Sequence, residues 1–131
     1  MIASRALFLS GAIFNLAVGG GLLFLFSVLQ PFLGIAHVPP DLTFLVDIVG
    51  LFVCAFGIAY WLVSVDFPRY RLFAVFGAAC KVMVFLVIAA HFVLGRVGWQ
   101  LFGLGIVDLI YAVLFWMVIR RTTRSAVAQA A

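Results

Sequence analysis

Apolar residues dominate four long stretches of the chain, which short polar or proline-containing segments separate. The stretches cover about residues 6–30, 42–65, 72–94 and 99–119. A helix needs roughly 20 apolar residues to cross a hydrocarbon core about 30 Å thick, and each stretch reaches that length. None alternates as a barrel strand does, and backbone groups in lipid must be hydrogen-bonded within the segment. The pattern therefore predicts an all-α fold, an integral membrane four-helix antiparallel bundle in one domain.

The segments between these stretches predict how the helices are connected. Residues 31–41 are apolar, bounded by prolines and too short to span a bilayer, so we expect them to lie along the outer interface. The polar segment 66–71 predicts a short loop at the opposite end, and residues 120–131 a basic cytoplasmic tail. Three consecutive glycines, Gly19 to Gly21, indicate a local bend in the first helix.

The distribution of cationic residues predicts the orientation. Cationic residues collect in short cytoplasmic loops. If the N-terminus is cytoplasmic, Arg96 is the outer cation and Lys81 lies in the membrane, while six arginines face the cytoplasm: Arg5, Arg69, Arg71, Arg120, Arg121 and Arg124. The pattern thus predicts that both termini are cytoplasmic and that the chain is a multi-pass protein of a cell inner membrane.

The composition narrows the possible partners. Hydrophobic residues make up 68% of the chain, charged residues 9%, and the mean hydropathy is +1.36. Soluble domains carry about 25% charged residues, so soluble globular, fibrous and disordered classes are excluded. The net charge is +4, yet there is no folded basic domain that could bind nucleic acid. We expect the arginine-rich tail to contact anionic lipid headgroups instead.

Three polar residues are predicted near the middle of the bilayer. At 1.5 Å per residue, Asn15 and Lys81 lie about 15 Å from Arg5 and Arg71, and Asp108 lies about 18 Å from Arg120. An ion pair between Lys81 and Asp108, completed by Asn15, is expected there, with Tyr111 one turn from Asp108. Such a centre either fixes helix register or binds a ligand or proton, and the sequence leaves both open.

Helical spacing predicts that this centre faces inward, because small and polar residues recur on one side of each predicted helix. The stripes are Gly11, Asn15 and Gly19; Asp47, Gly50, Cys54, Gly57 and Trp61; Gly77, Lys81, Val84, Ile88 and His91; and Gly105, Asp108 and Ala112. Small residues let membrane helices approach closely. Five aromatic residues lie toward the ends of the predicted helices and are expected in interfacial belts: Tyr60, Trp61, Tyr70, Trp99 and Trp116.

A second polar group is predicted near the outer interface: His37, Asp41, Asp47 and His91. Imidazole and carboxylate suit several metals, and paired histidines could hold a haem at His37 and His91. Their spacing matches no established ligand motif, so no metal or cofactor is expected. Cys54 and Cys80 are expected to be apolar packing residues, and whether they touch each other stays open.

Catalytic motifs are missing from the sequence. There is no His-Glu-x-x-His, phosphate loop or Ser-His-Asp set, and no catalytic residue is predicted. Four helices enclose little more than their own side chains, so a homo-oligomer or a larger membrane complex is expected.

The chain resembles small bacterial four-helix inner-membrane proteins of the DoxX-like and BphX-like kind. The residues that carry the resemblance are Arg5 and Asn15, Gly57-x-x-Tyr60, Gly77-x-x-x-Lys81 and Asp108. The resemblance implies the four-helix fold and a bacterial inner membrane, and it assigns no molecular activity.

Three functions follow from these patterns. The first is a non-catalytic accessory or interaction subunit of a membrane assembly. The second is binding or translocation of a small solute, ion or proton at Lys81 and Asp108. The third is a redox or metal enzyme of the membrane that uses the outer histidines and aspartates.

Overall fold

The computed structural model describes the backbone of residues 2–130 and the side chains of residues 4–122. Arg124, counted above among the cytoplasmic arginines, has its side chain outside this described part. Within it the chain forms five α-helices and one 3-10 turn, and no strand. The elements are α1 (Ile2–Phe24), α2 (Phe26–Phe32), the 3-10 turn Pro40–Leu42, α3 (Thr43–Val65), α4 (Phe67–Val93) and α5 (Trp99–Ala130). The all-helical prediction is therefore confirmed.

Four of these helices are long and apolar enough to cross a membrane. The spans are Ser4–Phe24, Pro40–Val65, Phe67–Val93 and Trp99–Thr122. Most of their large apolar side chains lie on the outside of the structure, as expected for a multi-pass membrane protein whose exterior contacts lipid.

The long helices form a ring in which α1 packs most closely on α3, and α4 on α5. Asn15 contacts Val53, while Gly19 contacts Gly50, so α1 and α3 run in opposite directions. Around the ring, contacts of α3 with α4 are fewer, and those of α1 with α5 are fewer still. The tightest core lies towards the end of the ring where α1 begins, with Phe8 stacked on Phe115 at 4.3 Å and both rings buried.

The first helix is interrupted, in contrast to the continuous helix expected over residues 6–30. The chain leaves helical geometry at Leu25 (φ −127°, ψ 16°), and α2 begins at the next residue. A Cβ at Gly21 would lie 2.8 Å from the Leu29 side chain, so the absent side chain gives Leu29 room to fold back on α1. The bend predicted at Gly19 to Gly21 is not found there, because α1 continues to Phe24 and the break comes at Leu25.

The predicted loop 66–71 is the first turn of α4. The Asp66 side chain accepts a hydrogen bond from the Arg69 backbone N–H at 3.2 Å, and Pro68 occupies the first turn. Both residues favour a helix start, because a capping carboxylate satisfies an unpaired N–H and proline has no N–H to lose. The turn is irregular at Tyr70 (φ −104°, ψ 16°), where α4 kinks. The fourth predicted helix likewise continues beyond Ile119.

The opposite end of the ring is covered by the segment after α2. Gly98 N donates to Gly34 O at 3.2 Å, which joins this segment to the turn between α4 and α5. Gly34 has a positive φ of 63°, and a Cβ there would lie 2.9 Å from the Gly98 Cα. Leu33, Ile35 and Val38 from the same segment border a cavity shared with α1, α3 and α5.

Candidate functional site

Lys81 lies on the inward face of α4, which it shares with small residues that precede it in the helix. Ala74, Gly77 and Ala78 are buried and allow α4 to approach its neighbours closely. Lys81 follows them, and only 5% of its side chain is exposed. A cationic side chain in this position needs partners within the protein.

The Lys81 ammonium finds these partners on two other helices. Its Nζ donates to Oδ1 of Asn15 at 3.0 Å and forms an ion pair with Oδ1 of Asp108. The Asn15 side chain also donates from Nδ2 to the Val53 carbonyl at 3.4 Å, which brings α3 into the group. The buried polar centre, defined as Asn15, Lys81 and Asp108, thus links α1, α4 and α5 directly and α3 through its backbone.

Three aromatic rings surround the same ammonium group. The Nζ atom lies 5.4 Å from the ring centroid of Tyr60, 5.5 Å from that of Tyr111 and 5.6 Å from that of Phe14. A cation within about 6 Å of a ring centroid is attracted to the negative face of the ring. These rings therefore stabilise the lysine charge and also exclude water from it.

Tyr60 is buried in this centre, whereas the sequence placed it in an interfacial belt. The inward stripe on α3 contains Gly50, Gly57 and Tyr60, while Asp47 and Trp61 are exposed. A 3.6-residue period places the stripe between positions 60 and 61 after Gly57, so spacing alone does not choose between them. Tyr60 takes the inward position because Gly77 has no side chain and leaves space for it. A Cβ at Gly77 would lie 2.6 Å from the Tyr60 hydroxyl oxygen.

Tyr111 belongs to the centre through its ring, and its hydroxyl points elsewhere. The hydroxyl donates to Oγ of Ser10 at 3.2 Å, rather than to Asp108. The sequence did not predict that the Phe14 ring also faces Lys81, because Phe14 lies about 100° around α1 from Asn15 and outside the predicted inward stripe. The expected stripe on α4 is also incomplete, since Val84 is exposed.

The buried polar side-chain atoms of the described part of the protein, including those of the polar centre, are all hydrogen-bonded. No buried side-chain nitrogen or oxygen there lacks a partner. The Asp108 side chain keeps 20% of its surface exposed, four times the fraction of Lys81. Chemically, the arrangement can hold four helices in register or exchange a proton or ligand through Asp108.

Neither Lys81 nor Asp108 is among the residues that line four of the cavities on the described helices. One, of about 330 Å³, lies at the end of the ring that the segment after α2 covers. Its lining is apolar and includes Val18 and Leu104, which lie three residues after Asn15 and four before Asp108. Its inner rim is therefore one helical turn from the polar centre.

The structure does not gather the predicted outer polar group into a metal site. His37, Asp41 and Asp47 are exposed, and His91 is half-buried in the last turn of α4. Among the side chains described, no three His, Cys, Asp or Glu residues are placed to hold a metal ion. Cys54 and Cys80 are both free cysteines and half-buried.

Comparison of the chain with protein-family models, with curated proteins and with solved structures gives no match. The geometry of the site therefore carries the functional argument.

Proposed function

We propose that this protein is a non-catalytic integral membrane protein that serves as an accessory or interaction subunit of a membrane assembly. In this proposal the buried polar centre is structural: it fixes the register of the four long helices. The partner is a second copy of the chain or a larger membrane complex. Arginines at one end, and the tail that follows them, contact anionic lipid headgroups.

The observation that carries the proposal is the closed surroundings of Lys81. Its ammonium is shared by Asn15 and Asp108 and enclosed by three rings. Lipid offers no hydrophobic force between helices, so packing and polar contacts must hold a membrane bundle together. A satisfied centre that contacts every long helix meets this need, since breaking it would leave a charge unpaired in lipid.

The exterior of α3 and α4 supports a role in assembly. Six of the exposed aromatic residues lie on these two helices: Phe44, Phe52, Trp61, Phe73, Phe76 and Phe92. Aromatic side chains are enriched at the energetically important centres of protein interfaces. Asp47 is exposed on the same part of α3, beside Phe44 and Leu51. Near the outer interface such a carboxylate can be hydrated or can bond to a protein neighbour, so the exposed aromatic residues are the feature that supports an interface here.

We place the protein in a bacterial inner membrane with both termini in the cytoplasm. The six arginines predicted on the cytoplasmic side support this orientation. The resemblance to DoxX-like and BphX-like proteins supports the membrane.

The test compares assemblies extracted directly from membranes into lipid nanodiscs and weighed by native mass spectrometry. We expect wild type to appear in a defined assembly larger than one chain. The double variant Phe44→Ala/Phe52→Ala should lose it, because both rings are exposed on α3. Trp99→Ala/Trp116→Ala, which removes two exposed rings from α5, is the matched control and should retain it. A monomer without protein neighbours in wild type would contradict the proposal.

The partial exposure of Asp108 favours a second candidate, binding or translocation of a small solute, ion or proton. The apolar cavity one turn away would supply the approach. Proteoliposomes with a pH-sensitive dye inside test it for protons. A proton flux above that of empty vesicles would support this candidate if the Asp108→Asn variant abolishes it. A proton flux equal to that of empty vesicles supports the structural role.

A further inference from the structure

A groove of about 460 Å³ lies between α1 and α5 at the end of the bundle where α1 begins. Its size falls within the roughly 300–1,000 Å³ of ligand pockets. Leu7 of α1 and Leu114, Met117 and Val118 of α5 supply an apolar wall. Ser4, Arg121 and Thr122 supply the polar part of the lining.

The polar and apolar parts of this groove are separated along the bundle axis. On α5, Leu114 lies about 10 Å deeper in the predicted membrane span than Arg121, at 1.5 Å per residue. On α1, Ser4 precedes Leu7 by about one turn, so both helices place their polar residues at the same end. The groove is thus cationic at its mouth and apolar inside. A phospholipid has the same division, with a phosphate above an acyl chain.

The charge at the mouth comes from Arg121, and the described residues that line the groove include no Asp or Glu. Arg121 and Ser4 each have another interaction within the protein. A guanidinium carries five N–H donors, so an internal partner and a phosphate can share it. Thr122 directs its hydroxyl proton to the Val118 carbonyl at 2.9 Å, so Arg121 is the principal donor for an anion.

A neighbouring cavity on the other side of α1 differs from the groove in the charges of its lining residues. It has about 390 Å³ and is lined by Arg5 and also by Asp66. The Asp66 carboxylate offsets the arginine charge there. Of these two cavities at the same end, the groove between α1 and α5 combines an arginine with no Asp or Glu among its described lining residues.

We infer that this groove binds one anionic glycerophospholipid, with the phosphate at Arg121 and one acyl chain along Leu7, Leu114 and Met117. The inference rests on the membrane location and lipid contact of the proposed function. It replaces a general attraction between basic residues and the membrane surface by a specific site. A basic pocket between transmembrane helices is a recognised kind of headgroup site.

The test uses protein reconstituted in vesicles of equal phosphatidylglycerol and phosphatidylcholine with identical chains, then extracted in mild detergent. Native mass spectrometry counts the lipids that remain bound. Wild type should retain one phosphatidylglycerol with about fivefold preference, the order expected for one cation at a membrane surface. Arg121→Gln should lose the preference, whereas Arg96→Gln, the same charge change at the α4–α5 turn, should keep it.

Two further measurements identify what occupies the groove. Leu114→Trp should fill the apolar part of the groove, so that neither phosphatidylglycerol nor phosphatidylcholine stays bound there. The melting temperature of the protein should not change. Inorganic phosphate at millimolar concentration should not displace the retained lipid, because it has no chain for the apolar wall.

Four results would overturn the inference. They are an unchanged preference in Arg121→Gln, an equal loss in Arg96→Gln, displacement by phosphate alone, and a dimer that Leu114→Trp abolishes with no lipid bound. Arg121→Gln leaves the exterior of α3 and α4 intact. A negative result in the lipid test therefore does not affect the assembly test in nanodiscs, and a negative assembly test does not affect the lipid test.

Discussion

Lys81 donates a hydrogen bond to Asn15 at 3.0 Å across the bundle, although 66 positions separate the two residues in the chain. The bond connects α4 to α1 across the ring, where the helices share few other contacts. Its acceptor is a neutral amide whose other end bonds to the backbone of α3. One side chain of moderate size therefore joins three helices, and its loss should be felt by all of them.

Replacing Asn15 by alanine should destabilise the folded protein by about 1–3 kcal/mol. The substitution removes an acceptor from a buried ammonium and leaves that donor short of a partner. Thermal unfolding in detergent, followed by tryptophan fluorescence, measures the change. Ser27→Ala, at an exposed position on α2, is the control and should stay within about 0.5 kcal/mol of wild type. Equal melting temperatures for both variants would contradict a structural role for the amide.

Gly19→Ala should separate α1 from α3. A Cβ at Gly19 would lie 2.7 Å from the Gly50 carbonyl oxygen and 2.9 Å from the Cys54 nitrogen, and backbone atoms cannot move aside cheaply. Overpacking of this kind costs about 1–3 kcal/mol. Gly20→Ala is a matched control in the next position, where a Cβ meets nothing within 4 Å. We expect a lower melting temperature only for Gly19→Ala, and equal effects at both sites would show that the close approach is not needed.

The proposed orientation predicts which cysteines a membrane-impermeant maleimide can label. In a background of Cys54→Ala and Cys80→Ala, His37→Cys should react in intact cells. Thr122→Cys should react only after the membrane is permeabilised. Both positions are exposed in the structure, so a difference between them reports the membrane side. The reverse labelling pattern would show that the topology is the opposite of the proposed one.

Much of the fold could be predicted from the sequence because bilayer thickness constrains helix length. The four spans appear as long apolar stretches, and depth counted at 1.5 Å per residue places Asn15, Lys81 and Asp108 at one level. The contacts at Lys81 connect the same three residues. A lone lysine and a lone aspartate on neighbouring membrane helices have few alternatives to pairing.

Other features depend on tertiary contacts that hydropathy does not contain. The break at Leu25 falls within a continuous apolar run, where the room beside Gly21 allows α2 to turn back. The position of Tyr60 depends on the space left by Gly77 on another helix. The start of α4 is different, since Asp66 and Pro68 are recognisable helix-start residues that polarity alone made look like a loop.

A double-mutant cycle of Lys81→Met and Asp108→Leu tests whether these two residues form a structural pair. The measurements are the free energy of unfolding in detergent and the assembly retained in nanodiscs. Each single variant should lose about 3–5 kcal/mol, because one buried charge is left unpaired. The double variant should recover most of that loss, since an apolar pair of similar volume can replace a buried ion pair. It should also keep the assembly of wild type. A double variant that is as stable as wild type yet loses the assembly would contradict a purely structural role for the pair, as would single variants with unchanged stability.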